Sequence, residues 1–339
     1  MNVKQAIATV IEGQSLSMDE AAQVMDEIMS GEATPAQIGA LMVGLRMRGE
    51  TAEEVAGFAR TMRAKATPVQ VSAPVVDTAG TGGDGAGTFN ISTAACIVAA
   101  AAGVPVAKHG NRAFSSRCGS ADVLESLGVR IDLKPEQVAS CIERIGIGFM
   151  FAPLFHPALR HAMGPRQELG IRSIFNILGP LSNPAGAPYQ VMGVANAQLA
   201  PLMADVLRHL GCSRALVVHG DGLDEVSVSG PTTVYHVEEQ TIRSYQISPE
   251  QYGLARAPVE SVRGGTAEEN ARIVRSVLSG DPGPRRDVVL LNAAAALIAG
   301  GAAAEFADGI RVAAQTIDSG AARGKLDALV RTSQELAAV

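Results

Sequence analysis

The chain has 339 residues, of which 47% are hydrophobic and 18% charged, a balance that excludes a disordered protein. Its formal net charge of −6 argues against a nucleic-acid surface as its main business, although a local basic cleft stays compatible with it. Cys96, Cys118, Cys141 and Cys212 are scattered without C-x-x-C spacing. They read as reduced thiols of a cytoplasmic protein, with neither a zinc site nor a disulfide framework. The N-terminal MNVKQAIATVIEG lacks a basic region followed by a long apolar core, so it is not a signal peptide. Alanine-rich runs such as 292–304 are small-sided and broken by glycine, which is wrong for a membrane span.

Residues 1 to about 66 read as all helix. Ser17 with Glu20, Thr34 with Gln37 and Thr51 with Glu54 have capping-box spacing. Pro35 suits a first helical position, and Gly31 and Gly49 suit C-caps. Ile38, Leu41, Met42 and Leu45 give one apolar face. This is a small helical bundle, with a dimer contact as its alternative use.

From Val75 the period changes. Short apolar runs at 104–107, 148–151, 190–194 and 215–218 alternate with helical patterns at 120–127, 135–145 and 197–210. Such alternation predicts a mostly parallel sheet with helices on its faces. Segments 234–237 and 241–247 read as an antiparallel hairpin, Thr266 with Glu269 caps another helix, and the chain from about Arg286 is helical.

The densest signal runs from Val76 to Glu125. Gly80, Gly82, Gly83, Gly85 and Gly87 crowd into eight positions, and Asn90-Ile91-Ser92-Thr93 then opens an alanine-rich run. A glycine loop leading to a helix N-terminus is an anion site, most naturally for phosphate. No Lys-Ser or Lys-Thr follows, and Asp84 interrupts the dinucleotide pattern, so neither standard nucleotide motif applies. A structural hairpin is the competing reading. Lys108-His109-Gly110-Asn111-Arg112 favours phosphate, because it sets a cationic loop after a second strand, where α/β sheets bind ligands.

Further along, Asp224-Glu225 are adjacent carboxylates in a glycine-bearing loop past the 215–218 strand. Magnesium takes hard oxygens and shares them with substrate phosphates, so the pair suits it, with Ser92 as a third oxygen. Arg166, in Gly164-Pro165-Arg166-Gln167-Glu168, either holds a planar carboxylate through a two-pronged contact or pairs with Glu168 on the surface. The loop of His109 is expected to contact substrate. His156 reads as core, and His161, His219 and His236 show no ligand spacing.

GTGGD, NIST, KHGN and GSADVLE, followed by FAPLFHPALRH, PRQELGIRSIFNILGPLSNPA and VHGDGLDEVS, closely resemble the anthranilate phosphoribosyltransferase family. The resemblance covers Val76 to about Gly230, with a compatible helical segment before it. One departure is Gly164-Pro165, where the family more often has Pro-Val ahead of the arginine. The resemblance implies a nucleoside phosphorylase / phosphoribosyltransferase-like fold: a small all-helical domain, 1–70 joined by about 166–185, and a large α/β domain, 71–165 and 186–339. It implies transfer of the phosphoribosyl group of 5-phosphoribosyl 1-diphosphate (PRPP) to anthranilate, in tryptophan biosynthesis. PRPP would be held by Gly80, Gly82, Gly83, Asp84, Thr88, Asn90, Ile91, Ser92 and Thr93. Lys108, His109, Gly110, Asn111, Arg112, Ala113, Phe114, Ser115, Ser116 and Ser120 would complete that grip. Gly80, Asn111 and Arg166 would place anthranilate. Magnesium, two ions per site, would sit on Ser92, Asp224 and Glu225. No residue is assigned as general acid or base, since a neutral aromatic amine is already nucleophilic. A cytoplasmic homodimer, formed through the helical domain and without nucleic-acid or membrane partners, completes the expectation. Two alternatives remain: a nucleoside phosphorylase of the same fold, and a non-catalytic nucleic-acid-binding relative.

Overall fold

The computed structural model describes residues 1–113 and 117–338. It opens with four helices, α1 (Val3–Ile11), α2 (Met18–Met29), α3 (Pro35–Arg48) and α4 (Ala52–Lys65). The side chains of Asn2, Ser17, Thr34 and Thr51 each cap a helix by accepting the N3 backbone N–H, and all four capping boxes close. Pro35 sits in the first turn of α3, and Gly49 is its C-cap. Ile38, Leu41, Met42 and Leu45 are buried as their spacing requires. They share a core with Ile174, Phe175, Ile177, Leu178 and Leu181, so the 174–181 segment packs on the helices.

Glu54 holds this bundle together from inside. Its carboxylate is fully buried, accepts from Leu16 N (2.8 Å) and Thr51 N (2.9 Å), and pairs with Arg48. The α1–α2 connection, the start of α4 and the end of α3 thus meet on one side chain.

Seven strands follow: β1 (Val76–Gly80), β2 (Val106–Gly110), β3 (Ile147–Phe151), β4 (Tyr189–Gly193), β5 (Arg214–Gly220), β6 (Thr232–Glu238) and β7 (Thr241–Ile247). They form one sheet in the order β3-β2-β1-β4-β5-β6-β7. The first five are parallel, and β6 and β7 run antiparallel as the hairpin pattern predicts. Beyond β1 the chain first builds outward through β2 and β3, then returns to the other side through β4 and β5. This reversal opens a crevice at the carboxyl ends of β1, β2 and β4, where α/β sheets hold ligands.

Helix α5 (Ile91–Ala101) is buried along nearly its whole length, among β1, β2 and the later helices Pro284–Ala299 and Ala321–Ala337. Alanine at five of its eleven positions lets neighbours approach closely without leaving voids. Helices α6 (Ser120–Ser126) and α7 (Pro135–Ile145) complete the first half of the α/β unit. No helix among the described residues is long and apolar enough to cross a membrane.

Two local expectations are corrected. Lys108 and His109 belong to β2, paired in register with Phe149 and Met150, and not to a loop beyond a 104–107 strand. Their polar side chains mask strand character in the sequence, yet both are buried. Arg166 lies on a helix, Arg160–Leu169, that contains Pro165, and not in a loop.

Removing the Glu54 carboxylate leaves two backbone donors and a guanidinium without their partner. Glu54→Ala is expected to cost about 3–5 kcal/mol. A urea unfolding curve should show the midpoint fall, and an unchanged midpoint would refute the role.

Candidate active site

A cavity of about 390 Å³ occupies the crevice. Residues 79–83, 88–93, 108–113 and 118–120 line it, with Arg166, Arg172, Phe175, Asn176, Gly179, Pro180, Asp224 and Glu225. Gly80, Gly82, Gly83, Thr88, Asn90, Ile91, Ser92, Thr93, Lys108, His109, Gly110, Asn111, Arg112, Ala113 and Ser120 are therefore brought together with Arg166 and the carboxylate pair. Asp84 stands just behind this wall. Phe114, Ser115 and Ser116 lie outside the described residues.

The glycine loop leaves β1 with φ of +61° at Gly82 and +79° at Gly83, a left-handed run that glycine adopts without strain. Gly82 N donates to Asp224 Oδ2 at 2.8 Å. At the head of α5 the N-cap residue, Asn90, makes no side-chain cap. Asn90 turns its amide sideways instead, donating to Cys118 O (3.2 Å) and accepting from Asn270 Nδ2 (2.9 Å). Ser92 N donates to Glu225 Oε1 at 3.1 Å. Both parts of the predicted phosphate site thus point their N–H groups at acidic oxygen.

The carboxylates are fixed by backbone. A Cβ on Gly193 would overlap the Asp224 carbonyl, so β4 runs directly beneath the loop. Asn292 accepts from Val226 N (2.9 Å) and donates to Val226 O (2.8 Å), clamping the residue after Glu225. Burial, and then Asp84, pushes Asp224 up to about 6; burial and Asp224 push Glu225 well above the usual carboxylate range. Among the described residues Asp84 Oδ2 is buried without a hydrogen-bond partner. Crowded, inward-facing carboxyl oxygens with the Ser92 hydroxyl at their edge form a hard-oxygen donor set that fits a divalent cation. Among the described residues no three Asp, Glu, His or Cys side chains converge as a closed metal site. Magnesium commonly fills its shell with water and substrate phosphate oxygens, which agrees with a partial set of this kind.

Lys108 provides the nearest buried cation. Its Nζ donates to Thr78 O (2.6 Å), with Thr78 Oγ1 at 3.3 Å and Ser92 Oγ at 3.4 Å. Beside it, Asp77 is fully buried on β1, accepts from His109 N (3.1 Å) and Asn183 Nδ2 (2.8 Å), and is raised to about 6 by burial. The His109 ring lies 5.1 Å from that of His156. Burial and His156 push His109 down to about 3, and burial lowers His156 to about 4, so both rings are neutral at physiological pH.

Arg166 is half-buried, with its guanidinium 5.3 Å from the centre of the Phe175 ring. Among the described residues it makes no ion pair, with Glu168 or any other acid, and burial lowers its pKa. Arg112 behaves differently. Its guanidinium turns to Asp122 (2.9 Å) and Glu125 (2.8 Å), leaving its backbone at the cavity. Asn111 O accepts from Ala121 N (3.2 Å), joining the end of β2 to α6.

Sequence reasoning missed several residues here, among them Arg172, Phe175, Asn183 and Asn292. Arg172 reaches the glycine loop and donates to Thr81 O and Gly82 O. Phe175, Asn183 and Asn292 support Arg166, Asp77 and Val226 respectively. Arg172, Phe175 and Asn183 lie inside the long PRQELGIRSIFNILGPLSNPA match, which was the available signal; Asn292 had none beyond being polar in an apolar helix.

Residues 72–323 match a family described as the glycosyl transferase family, a/b domain, and residues 4–66 match the glycosyl transferase family, helical bundle domain. The anthranilate phosphoribosyltransferase of Thermomicrobium roseum is 58% identical over 341 residues, covering 99% of this chain and 98% of that protein. The crystal structure of the anthranilate phosphoribosyltransferase of Thermus thermophilus aligns with TM-score 0.92 at 46% identity, covering 97% of this chain and 99% of that one. The Saccharomyces cerevisiae enzyme, solved in complex with PRPP and Mg, aligns with TM-score 0.90 at 29% identity over 98% of each chain. By its two matched domains, its near full-length identity to named relatives and its fold, the chain belongs to the anthranilate phosphoribosyltransferase family.

Proposed function

We propose that this protein transfers the 5-phosphoribosyl group of PRPP to the amino group of anthranilate, releasing pyrophosphate, as a step of tryptophan biosynthesis. The observation that carries this reading is one cavity containing backbone N–H groups suited to phosphate, a half-buried carboxylate pair and an arginine that makes no ion pair among the described residues and lies against an aromatic ring. A fluorescence assay tests it: anthranilate with PRPP and magnesium, following the loss of anthranilate. Turnover that proceeds without PRPP, or no turnover at all, would reject the proposal.

In this reading Gly80–Asp84 and the head of α5 bind the diphosphate through backbone N–H groups, and Lys108 adds charge behind them. Magnesium bound at Ser92, Asp224 and Glu225 would offset charge on the departing pyrophosphate; two ions per site are part of the proposal. Breaking the C1–O bond gives the ribose oxocarbenium character; an amine held on the opposite face attacks with inversion, forming the N–C1 bond, and the resulting ammonium then gives up one proton to water or to the released pyrophosphate. Arg166 would grip the anthranilate carboxylate while Phe175 flanks it. Neutral His109 neither repels the amine nor needs to take its proton during attack. We further propose a cytoplasmic homodimer, and a division into a helical unit (1–70 with about 166–185) and an α/β unit. A nucleoside phosphorylase would not need the Asp224-Glu225 pair, and a nucleic-acid binder does not suit a net charge of −6.

Asp224→Asn with Glu225→Gln should reduce turnover by about 100-fold or more while leaving the fold intact. Normal turnover of this double variant at limiting magnesium would refute the metal assignment. The pH dependence has a definite sign. As pH falls through about 6, Asp224 takes up a proton. The magnesium concentration for half-maximal rate should therefore rise, by up to about tenfold per pH unit for one proton. In cation-free protein the same raised value destabilises the fold, by an amount that grows as pH rises from the ordinary carboxylate value of 3.8 to about 6 and is constant above that. Magnesium titrations on both sides of pH 6 check the first statement and unfolding curves the second.

Arg166→Ala should raise the KM for anthranilate by roughly 10- to 150-fold, the loss of one charge-assisted contact, and change the KM for PRPP little. Arg166→Lys should recover part of this, because an ammonium lacks the planar fork. Equal effects on both KM values would remove Arg166 from the anthranilate subsite.

A further inference from the structure

The geometry points to Arg172 as the residue that shapes the phosphate receptor from behind: by gathering two successive loop carbonyls onto one nitrogen, it turns the N–H groups of Gly82 and Gly83 toward the diphosphate. This rests on the transferase reading above and adds a positioning residue to it.

The peptide unit sets the directions of these groups. In a trans peptide the C=O and the following N–H point in opposite directions across one plane. Arg172 Nη2 donates to Thr81 O at 3.2 Å and to Gly82 O at 3.0 Å. Thr81 O shares its plane with Gly82 N–H, and Gly82 O shares its plane with Gly83 N–H. Fixing both oxygens on the guanidinium side therefore aims both N–H groups the other way. Gly82 N–H obeys this, donating to Asp224 Oδ2 at 2.8 Å on the cavity side. Among the described residues no other group donates to either carbonyl.

The loop needs such a brace. Gly82 and Gly83 are exposed and both have positive φ, so the segment is costly to order. An arrangement fixed before binding spares that cost when the diphosphate arrives. The approach is also close: a Cβ on Gly83 would overlap the Arg172 guanidinium. Gly83 is thus required twice, for its φ and for the space the arginine fills. Arg172 follows directly on the helix that carries Arg166 and precedes Phe175. One short segment therefore serves both proposed substrate subsites, with Arg166 on anthranilate and Arg172 on the phosphate loop.

Calorimetric titration with magnesium–PRPP and with magnesium–pyrophosphate, alongside the KM for anthranilate, tests this. Arg172→Ala is expected to weaken PRPP and pyrophosphate by the same factor, roughly tenfold or more for a lost charge-assisted pair of bonds. The anthranilate KM and the melting temperature should stay near those of the parent. Arg172→Lys should recover part of the loss, its shorter ammonium reaching one carbonyl and not both. Gly83→Ala, which displaces the guanidinium while leaving Arg172 in the chain, should reproduce the loss should Arg172→Ala fold poorly. Unchanged PRPP and pyrophosphate affinity in both variants would overturn the proposal. So would equal weakening of both substrates with a lowered melting temperature, which marks a mere anchor between segments. Full recovery by Arg172→Lys would assign the effect to charge alone and overturn it as well. A parent protein that binds neither PRPP nor pyrophosphate would instead sink the transferase reading, and this proposal with it.

Discussion

Two adjacent carboxylates, Asp224 and Glu225, are half-buried in the wall of the cavity, with Asp84 close enough to repel them. Burial of like charge is unfavourable unless something opposite is supplied. Here the protein supplies backbone N–H groups, one from the glycine loop and one from the head of α5, with Lys108 behind them. The surroundings serve to hold this arrangement. β4 passes beneath Asp224 at a distance that only Gly193 permits, and Asn292 fastens Val226 by both its backbone groups.

The same N–H groups are the proposed diphosphate donors. In this structure the carboxylates satisfy them, so each half of the site stabilises the other. A cation placed among the carboxylates would draw their charge away from the N–H groups and leave those donors to phosphate oxygens. The proposed phosphate receptor and the proposed cation site would therefore form one electrostatic unit, built at the point where the sheet reverses direction.

A second layer ties the segments together. Asp77 receives His109 N from β2 and the Asn183 amide from the segment before β4. Arg63 on α4 donates to Leu181 O at 2.6 Å, and Phe175 lies in the core shared with the helical bundle while also flanking Arg166. The bundle carries no cavity residue of its own from α1–α4, yet it backs the segment that does. Its contribution to chemistry is thus positional, which gives the well-capped, Glu54-centred core its functional meaning.

Much of this was legible in the chain itself. Capping boxes, a proline at a first helical turn and strand–helix alternation are local rules, and α1–α4, α7, the parallel sheet and the β6–β7 hairpin follow from them. The ordered motifs from GTGGD to GDGLDEVS pointed to a phosphate receptor and a carboxylate pair, because those chemistries need particular residue types close together in sequence. Tertiary structure decided what depends on contacts between distant segments. Lys108 and His109 looked like loop residues because strand propensity counts their polarity against them; Thr78, Ser92 and the Asp77 carboxylate are what let β2 contain them. Arg112 and Arg172 are equal as letters, yet Asp122 and Glu125 turn the first outward, and the carbonyls of Thr81 and Gly82 draw the second to the site. A cation's direction is set by the nearest acceptors in space, and those acceptors lie up to 91 residues away along the chain.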